Sequence, residues 1–457
     1  MRIALSLKIG ISGVRGIVGD SLTPQLAVAF AQAFGTYIGG GRVIVGRDAR
    51  PSGTMLEQAV ISGLLAVGCQ PVDSGICPIP SFLVLTKDAG ASGGISITAS
   101  HNPKEWNGMK FASRNGLYLT PHEFEEFLDI YHQGDFSLEG PERFKTMKTE
   151  LQPTLPHLKK LLSCFDSDLI RSRKFKVALD CANGAGAVLA PRILEELGCR
   201  VVLLNAVPDG SFAHHAEPLP ENIAEISRAV KDEKADIGFV QDADADRLSI
   251  LDEKGRPLGE EMTLALAVHY ILSRKRGSVV CNLSTTRAID DIAAARKARV
   301  FRTKIGEINV VEKLLTIHPK PVVAGEGNGG VIFPDVHPCR DSFAAMCLIL
   351  ECLAKTGETV SSLQRKIPKY AMVRENIEGS AEQANRLVRL LKKKYEGKGK
   401  INLLDGLKVD FPEHWIHIRP SNTEPVIRLI AEAKTAQKAQ AALRRLKKEI
   451  AGLEKKI

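Results

Sequence analysis

The sequence predicts a layered α/β protein of several domains, ending in a smaller α+β module. Three observations carry this. The chain has 457 residues, 44% of them hydrophobic, and at about 100 to 200 residues per domain this suits three or four domains. Short apolar runs bounded by Gly or Asp alternate with longer helical patterns: RVIVG (42–46), GGISIT (93–98), KVALD (176–180), RVVLL (200–204), IGFV (237–240), SVVCNL (278–283) and PVVAG (321–325). Such runs read as buried strands with helices between them. From about residue 370 the pattern changes, with two basic helices (about 381–395 and 434–449) flanking KVDF, HWIHIRP and PVIRLIAEA, an α+β arrangement.

The helices follow from their end signals. Thr23-Pro24 before LAVAFAQAFGTYIGG supplies an N-cap and a first-turn proline, and Gly39 to Gly41 end that helix. Over 184–199, small residues open a helix directly after a strand and Gly198 closes it. Polar or proline-bearing stretches near 134–157, 254–260 and 366–375 suggest domains at 1–150, 151–255, 256–367 and 368–457.

The formal net charge of +9 invites a nucleic-acid or anionic-surface reading. Its location argues otherwise. The stretches 383–400 and 434–457 together carry +12, leaving −3 on the rest. In the first, Leu387, Leu390, Leu391 and Tyr395 recur at helical spacing with Arg386, Arg389, Lys392 and Lys393 on the remainder. That describes a solvated helix face, without the interleaved aromatics a nucleic acid would stack on. Nine scattered cysteines form no CxxC pair, which supports neither a zinc cage nor a disulfide scaffold and suggests a reducing compartment. The opening MRIALSLKIG has an apolar run cut by Lys8 and no small-residue cleavage site. No stretch approaches the ~18 apolar residues of a membrane span. The expectation is a cytoplasmic protein with neither nucleic acid nor membrane as partner.

Four segments carry chemistry. QDADADR (241–247) sets Asp242, Asp244, Asp246 and Arg247 directly after the apolar IGFV. Along an extended strand, alternate residues share a side in steps of about 6.6 Å, too wide for three oxygens to meet one small ion. Where the chain curls at the strand end they converge. Crowded carboxylates repel unless a cation neutralises them, and hard oxygen ligands suit Mg2+. The plainer alternative is a polar loop with helix-capping acids. An EF-hand needs a glycine at its sharp turn, which this segment lacks.

TASHNPKEWNGMK (98–110) follows the strand GGISI; its Asn102-Pro103 step is loop chemistry. Ser100 at that strand end, with His101 beside it and Lys110 further on, is placed as an exposed nucleophile or phosphate carrier, or as a Ser-His turn without catalysis. RPSNTEP (419–425) offers the planar fork of Arg419, hydroxyls from Ser421 and Thr423, and turn amides, with Arg428 close by; this is a phosphate cradle or an ordinary turn. In GEGNGG (325–330), the glycines allow close backbone approach while Glu326 and Asn328 can pair with hydroxyls. The GxGxxG spacing of Gly325, Gly327 and Gly330 is a weak dinucleotide signal, because VIFPDV follows where a capped helix is needed.

Taken in order, TASHNP, DADADR, GEGNGG and RPSNTEP resemble the loops of the α-D-phosphohexomutase superfamily over essentially the whole chain. SGVRG (12–16), VGRDARPSG (45–53) and RTKIGE (302–307) are also similar to family segments. GEGNGG and TKIG look most like the archaeal-type phosphoglucosamine mutase branch, in which phosphomannomutase and phosphoglucomutase activities also occur. Ala243 and Ala245 depart from the family's frequent Pro and Gly, and Glu307 stands where Asp is usual.

The resemblance implies four domains around a central cleft, three sharing a mixed α/β core and the last a helix-and-antiparallel-sheet module. It implies that hexose 6-phosphate and 1-phosphate interconvert through phosphoserine at Ser100 and a hexose 1,6-bisphosphate intermediate. Glucosamine phosphate is the first expectation; mannose and glucose phosphates are the alternative. Asp242, Asp244, Asp246 and Ser100 would hold Mg2+, and Arg15 and Arg247 would contact the moving phosphoryl group. Lys110, with His101 as the second candidate, would handle the proton. Glu326, Asn328 and Lys304 would bind the sugar, which must turn end for end. Arg419, Ser421, Asn422, Thr423 and Arg428 would hold its other phosphate, and closure of the last domain would exclude water. The same parts could make a metal-dependent sugar phosphatase, although such hydrolases commonly use zinc with His ligands, and the histidines here, His214-His215 aside, are not spaced as such a site.

Overall fold

In the computed structural model, which describes residues 7–215, 222–421 and 426–454, the local signals act where they stand. The Thr23 hydroxyl accepts from the Leu26 amide and Pro24 follows, so the helix Pro24–Tyr37 starts at that step. The helix expected over 184–199 is split. A 3-10 turn Ala185–Val188 precedes a helix Ala190–Glu196 with Pro191 in its first turn, the one place its missing N–H suits. All seven strands expected from apolar runs are present, the longest shift at any end being two residues.

The residues divide into two compact units: the chain up to Tyr270 with Gly329–Gln364, and Ile271–Asn328 with Arg365–Ile457. In the first unit, a seven-stranded mixed sheet runs in the order Lys8–Gly10, Gly13–Ile17, Trp106–Ser113, Gly93–Ile97, Gly41–Arg47, Cys69–Ile76 and Lys148–Thr149. On one face Phe30, Phe34, Phe111, Phe124 and Phe127 pack the helices Pro24–Tyr37 and Pro121–Gln133 against it. A second sheet of this unit has the order Leu248–Leu251, Ile237–Gln241, Lys176–Asp180 and Arg200–Leu204.

In the second unit, Val279–Asn282 pairs in parallel with Val300–Thr303 and with Val323–Glu326. The terminal sheet is antiparallel, in the order Ala371–Glu378, Val426–Ala433, His414–Pro420, Leu407–Asp410 and Lys400–Asn402. The helix Ala381–Tyr395 buries Leu387, Leu391 and Tyr395 on this sheet and leaves Arg386, Arg389, Lys392 and Lys393 exposed, as a solvated face requires. The nine cysteines are free thiols, eight of them buried. Among the described residues no helix is long and apolar enough to cross a membrane.

Two antiparallel returns position the chemistry. Gly93–Ile97 pairs with Trp106–Ser113 in the register Ile97 to Met109 and Ser96 to Lys110, so residues 98–105 form the connecting loop. Ile237–Gln241 pairs with Leu248–Leu251 with Gln241 opposite Leu248, so residues 242–247 are a tight six-residue turn. A parallel neighbour in either place would send the chain off into a crossover helix.

Glu57, on the helix Gly53–Ala66, is buried against Arg47, whose Nε lies 3.0 Å from Glu57 Oε2. Burial and then the charge of Asp73 push its carboxyl from 4.5 up to about 7 despite that arginine. A raised carboxyl pKa means the folded state holds the proton better than the unfolded chain. The stability it contributes is present below the unfolded value and is lost as pH rises toward 7. Thermal unfolding of the wild type should therefore lose more in Tm between pH 5 and 8 than Glu57→Gln loses; equal pH slopes would contradict this.

Candidate active site

The turn 242–247 curls because its own aspartate holds it. Asp242 Oδ1 accepts from the Asp246 and Arg247 amides, both at 3.1 Å, and Ala245 takes a left-handed φ of 59°. Neighbouring segments grip the same turn. Ala185 N donates to Ala243 O at 2.8 Å and Ile79 N to Asp244 O at 3.0 Å, while Ser342 Oγ donates to Ala245 O at 2.6 Å. Gly184 permits the first contact, since a Cβ there would stand 2.5 Å from Ala243 O. The curl brings one oxygen from each of Asp242, Asp244 and Asp246 within 4.8 Å of one another, the one such cluster among the described residues.

All three carboxylates are buried, at 1% exposure or less. Cations answer them: Lys110 Nζ lies 2.8 Å from Asp244 Oδ2 and 3.8 Å from Asp246 Oδ2, and Arg340 Nη2 lies 2.6 Å from Asp246 Oδ2. Arg247 Nε is 3.8 Å from Asp242 Oδ2 and from Asp246 Oδ1. Burial, then the charges of Asp246 and Asp244, drive the Asp242 carboxyl well above its ordinary value. At Asp244 burial is the largest influence and raises, but Lys110, Arg340 and Arg15 together outweigh it and the carboxyl ends below the usual range. Asp244 Oδ1 and Asp246 Oδ1 are buried and accept no hydrogen bond. Two such oxygens in a set of three carboxylates fit a hard divalent cation such as Mg2+.

Ser100 stands against this cluster, 1% exposed, with Oγ 3.5 Å from Asp242 Oδ2 and a left-handed φ of 54°. Its loop is held by Arg50, fully buried, whose guanidinium donates to the carbonyls of Ser100, Asn102, Pro103 and Trp106 at 2.5 to 2.9 Å. Asp48 fixes that arginine at 3.0 Å, and Thr98 Oγ1, which accepts from the Ser100 amide at 2.9 Å, donates to Asp48 Oδ2 at 2.7 Å. Arg15, opposite Gly108 in register, donates to Asn102 Oδ1 at 3.1 Å. His101 Nδ1 is 3.1 Å from Arg247 Nη2 and 3.4 Å from Ser100 Oγ. The Arg247 charge, then burial, hold His101 well below the ordinary histidine value, as a neutral ring.

The second unit carries the other residues expected from sequence. Glu326, 2% exposed, accepts on Oε1 from Asn282 Nδ2 and from the Gly306 amide, both at 2.8 Å. One residue earlier the Ile305 amide donates to Asp405 Oδ2 at 3.0 Å, and Asp405 Oδ1 accepts from Arg419 Nε at 3.3 Å. The segment 304–306 therefore links Glu326 to Arg419 through adjacent amides. Lys304 itself is exposed and Asn328 half-buried. Arg419 and Arg428 are directly opposed across two strands, and the Ser421 amide donates to Val426 O. Like charges directly opposite are destabilising alone, so this pair suits an anion. Asn422 and Thr423 lie outside the described residues.

The structure thus gathers Ser100, His101, Lys110, Arg15, Arg247 and the three aspartates in one unit, and Glu326, Asn328, Lys304, Arg419, Ser421 and Arg428 in the other. Sequence reading missed Arg340, Asp48, Arg50, Thr98 and Asp405. Asp48 and Arg50 were visible inside VGRDARPSG, and Arg340-Asp341 as the charged step before the apolar helix Ser342–Thr356. Nothing in sequence tied any of them to a particular loop.

Family models for phosphoglucomutase/phosphomannomutase match the chain in succession: α/β/α domain I over residues 6–138, domain II over 156–255, domain III over 259–370 and the C-terminal domain over 372–453. A probable phosphoglucosamine mutase of Methanopyrus kandleri is 36% identical over 434 residues, covering 94% of this chain and 95% of its own. A phosphoglucomutase/phosphomannomutase of Thermococcus kodakarensis is 38% identical over 444 residues, covering 95% and 96%. Among solved structures, a phosphoglucomutase/phosphomannomutase family protein from Burkholderia thailandensis superposes with a TM-score of 0.85 at 26% identity, over 98% of this chain and 97% of that one.

Arg50 gives a direct check on the loop. Arg50→Lys keeps the charge but cannot span four carbonyls with one ammonium. It is expected to cost about 2–3 kcal/mol of stability and to lower kcat at least tenfold, measured by thermal unfolding and turnover; wild-type values in both would show the fork to be dispensable.

Proposed function

The chain belongs to the phosphoglucomutase/phosphomannomutase family of phosphohexomutases, enzymes that move a phosphoryl group within one sugar phosphate, and we propose that it does so through phosphoserine at Ser100. The observation carrying this is the contact of Ser100 Oγ with a buried three-aspartate cluster, 3.5 Å from Asp242. We also propose glucosamine 6-phosphate and glucosamine 1-phosphate as the preferred pair, supported by the relatives named as probable phosphoglucosamine mutases.

Asp242, Asp244 and Asp246, with an oxygen on Ser100, would hold Mg2+. When bound, the ion supplies charge neutralisation on the phosphoryl group. The chain's own residues do the rest by position and charge, which is most of what phosphoryl transfer asks of a protein. Arg15, bonded to Asn102, and Arg247, beside His101, would orient the phosphoryl oxygens. A sugar hydroxyl attacks phosphorus, the bond from phosphorus to Ser100 Oγ breaks with its electron pair returning to Oγ, and the hydroxyl proton would pass to Lys110, which accepts it only as the neutral amine, a form open to it where a bound cation rather than its ammonium neutralises Asp244. We prefer Lys110 over His101 for that proton, because the His101 ring is a weakened base with Nδ1 already facing Arg247. The product is a hexose 1,6-bisphosphate. Its other phosphate returns to Ser100 after the sugar has turned, with the original proton restored. Arg419, Ser421, Asn422, Thr423 and Arg428 hold the phosphate that is not reacting, while Glu326, Asn328 and Lys304 meet sugar hydroxyls.

A panel of glucosamine, glucose and mannose 1-phosphates, read by formation of the 6-phosphate, tests both levels. Glucosamine 1-phosphate should give the highest kcat/KM, and Ser100→Ala should abolish turnover of all three. Near-normal turnover by Ser100→Ala would refute the phosphoserine assignment, and a preference for mannose or glucose would refute only the choice of sugar. Chelation with EDTA should remove activity and Mg2+ restore it; activity persisting after chelation would contradict the metal assignment.

A further inference from the structure

Outside the reacting groups, the first unit holds a sealed hydrogen-bonded chain that the mechanism does not use. Ser81 Oγ is 3.0 Å from His157 Nδ1, and His157 Nε2 is 2.9 Å from Asp341 Oδ2. The order Ser, His, Asp suggests a nucleophile, but Ser81 and His157 are 0% exposed and Asp341 1%, so no substrate reaches them. The arrangement is complete as it stands. The imidazole meets the serine hydroxyl at Nδ1 and the carboxylate at Nε2, so both ring nitrogens are partnered, and Phe343 packs edge-on against the ring at 5.6 Å.

The two ends of this chain lie on the elements that grip the turn 242–247. Ser81 sits in the first turn of the helix Ile79–Asp88, whose Ile79 amide donates to Asp244 O at 3.0 Å. Asp341 caps the helix Ser342–Thr356, with Oδ1 accepting from the Phe343 and Ala344 amides at 2.9 and 3.0 Å. On either side of that cap, Arg340 Nη2 meets Asp246 Oδ2 at 2.6 Å and Ser342 Oγ donates to Ala245 O at 2.6 Å. The oxygen of Ser342 is itself fixed by Gln241 Nε2 at 2.7 Å. His157 comes from a third element, the helix Leu155–Cys164, and is the one side chain joining the two gripping helices through this chain.

We propose that His157 is a positioning residue for the divalent-ion site: by tying the two helix starts together it sets where Asp244, Ala245 and Asp246 stand. The proposal rests on the reading of that turn as a metal site. Groups that orient metal ligands from outside typically change affinity by about 10- to 100-fold when removed. His157 acts one step further out, so the lower end applies.

The probe is Mn2+ alone, titrated calorimetrically into the full-length protein without sugar phosphate, beside the Mg2+ concentration for half-maximal turnover and the KM for sugar phosphate. His157→Gln and the milder Ser81→Ala should weaken Mn2+ binding and raise the Mg2+ requirement about tenfold, with KM unchanged. Ile226→Val, a core truncation elsewhere in the same unit, should lower Tm and leave Mn2+ affinity alone. If His157→Gln does not fold, Ser81→Ala decides. Wild-type Mn2+ affinity in the folded variants, or a loss that Ile226→Val reproduces, overturns the positioning role. Failure of the folded wild type to bind Mn2+ overturns the metal reading, and the proposal with it.

Discussion

Three carboxylates closed into a six-residue turn without solvent are the constraint around which the first unit is arranged. Their mutual repulsion is severe at such burial, and each must meet positive charge to remain ionised. Lys110 arrives from the neighbouring hairpin, Arg247 from the turn itself and Arg340 from a residue almost a hundred positions later. The two oxygens that accept no hydrogen bond, Asp244 Oδ1 and Asp246 Oδ1, are where that arrangement remains unfinished by protein alone. A divalent cation would complete it, and the same charge is what the proposed phosphoryl group on Ser100 would require.

The fold places these parts by antiparallel returns from strands that pair in parallel on their other side. A strand continuing into a crossover helix would disperse Asp242, Asp244 and Asp246 along its first turns. Pairing Gln241 with Leu248 instead folds them onto one another. The hairpin after Gly93–Ile97 does the same for Ser100 and returns Lys110 to the same neighbourhood on the facing strand. In the second unit the logic is amide donation: consecutive N–H groups at Ile305 and Gly306 hold the acids Asp405 and Glu326, so under the proposed function sugar and phosphate recognition would share one backbone segment.

What sequence made legible was local. Strands bounded by Gly or Asp, the Thr23-Pro24 helix start and the solvated face at Arg386, Arg389, Lys392 and Lys393 are short-range patterns, and each survives in the structure. The aspartate turn was also legible, because alternate acids at a strand end converge only if the chain curls. The proline at 191 was undervalued as a helix start, which split one expected helix. The supporting shell was not legible. Arg50 reaches four carbonyls some fifty residues away and Arg340 crosses ninety-four positions to Asp246, and His157 gains meaning only from Ser81 and Asp341. Such groups look in sequence like any charged or polar residue near an apolar run; only the tertiary fold selects their partners.

The central claim is that Ser100 carries the phosphoryl group, and intact-mass analysis with peptide mapping tests it most directly. Incubation with hexose 1,6-bisphosphate and Mg2+ should add one phosphoryl group at Ser100, and subsequent addition of excess hexose monophosphate should shift that group to the sugar. A protein that turns over sugar phosphate while Ser100 never gains the group, or that gains it at another residue, would contradict the account.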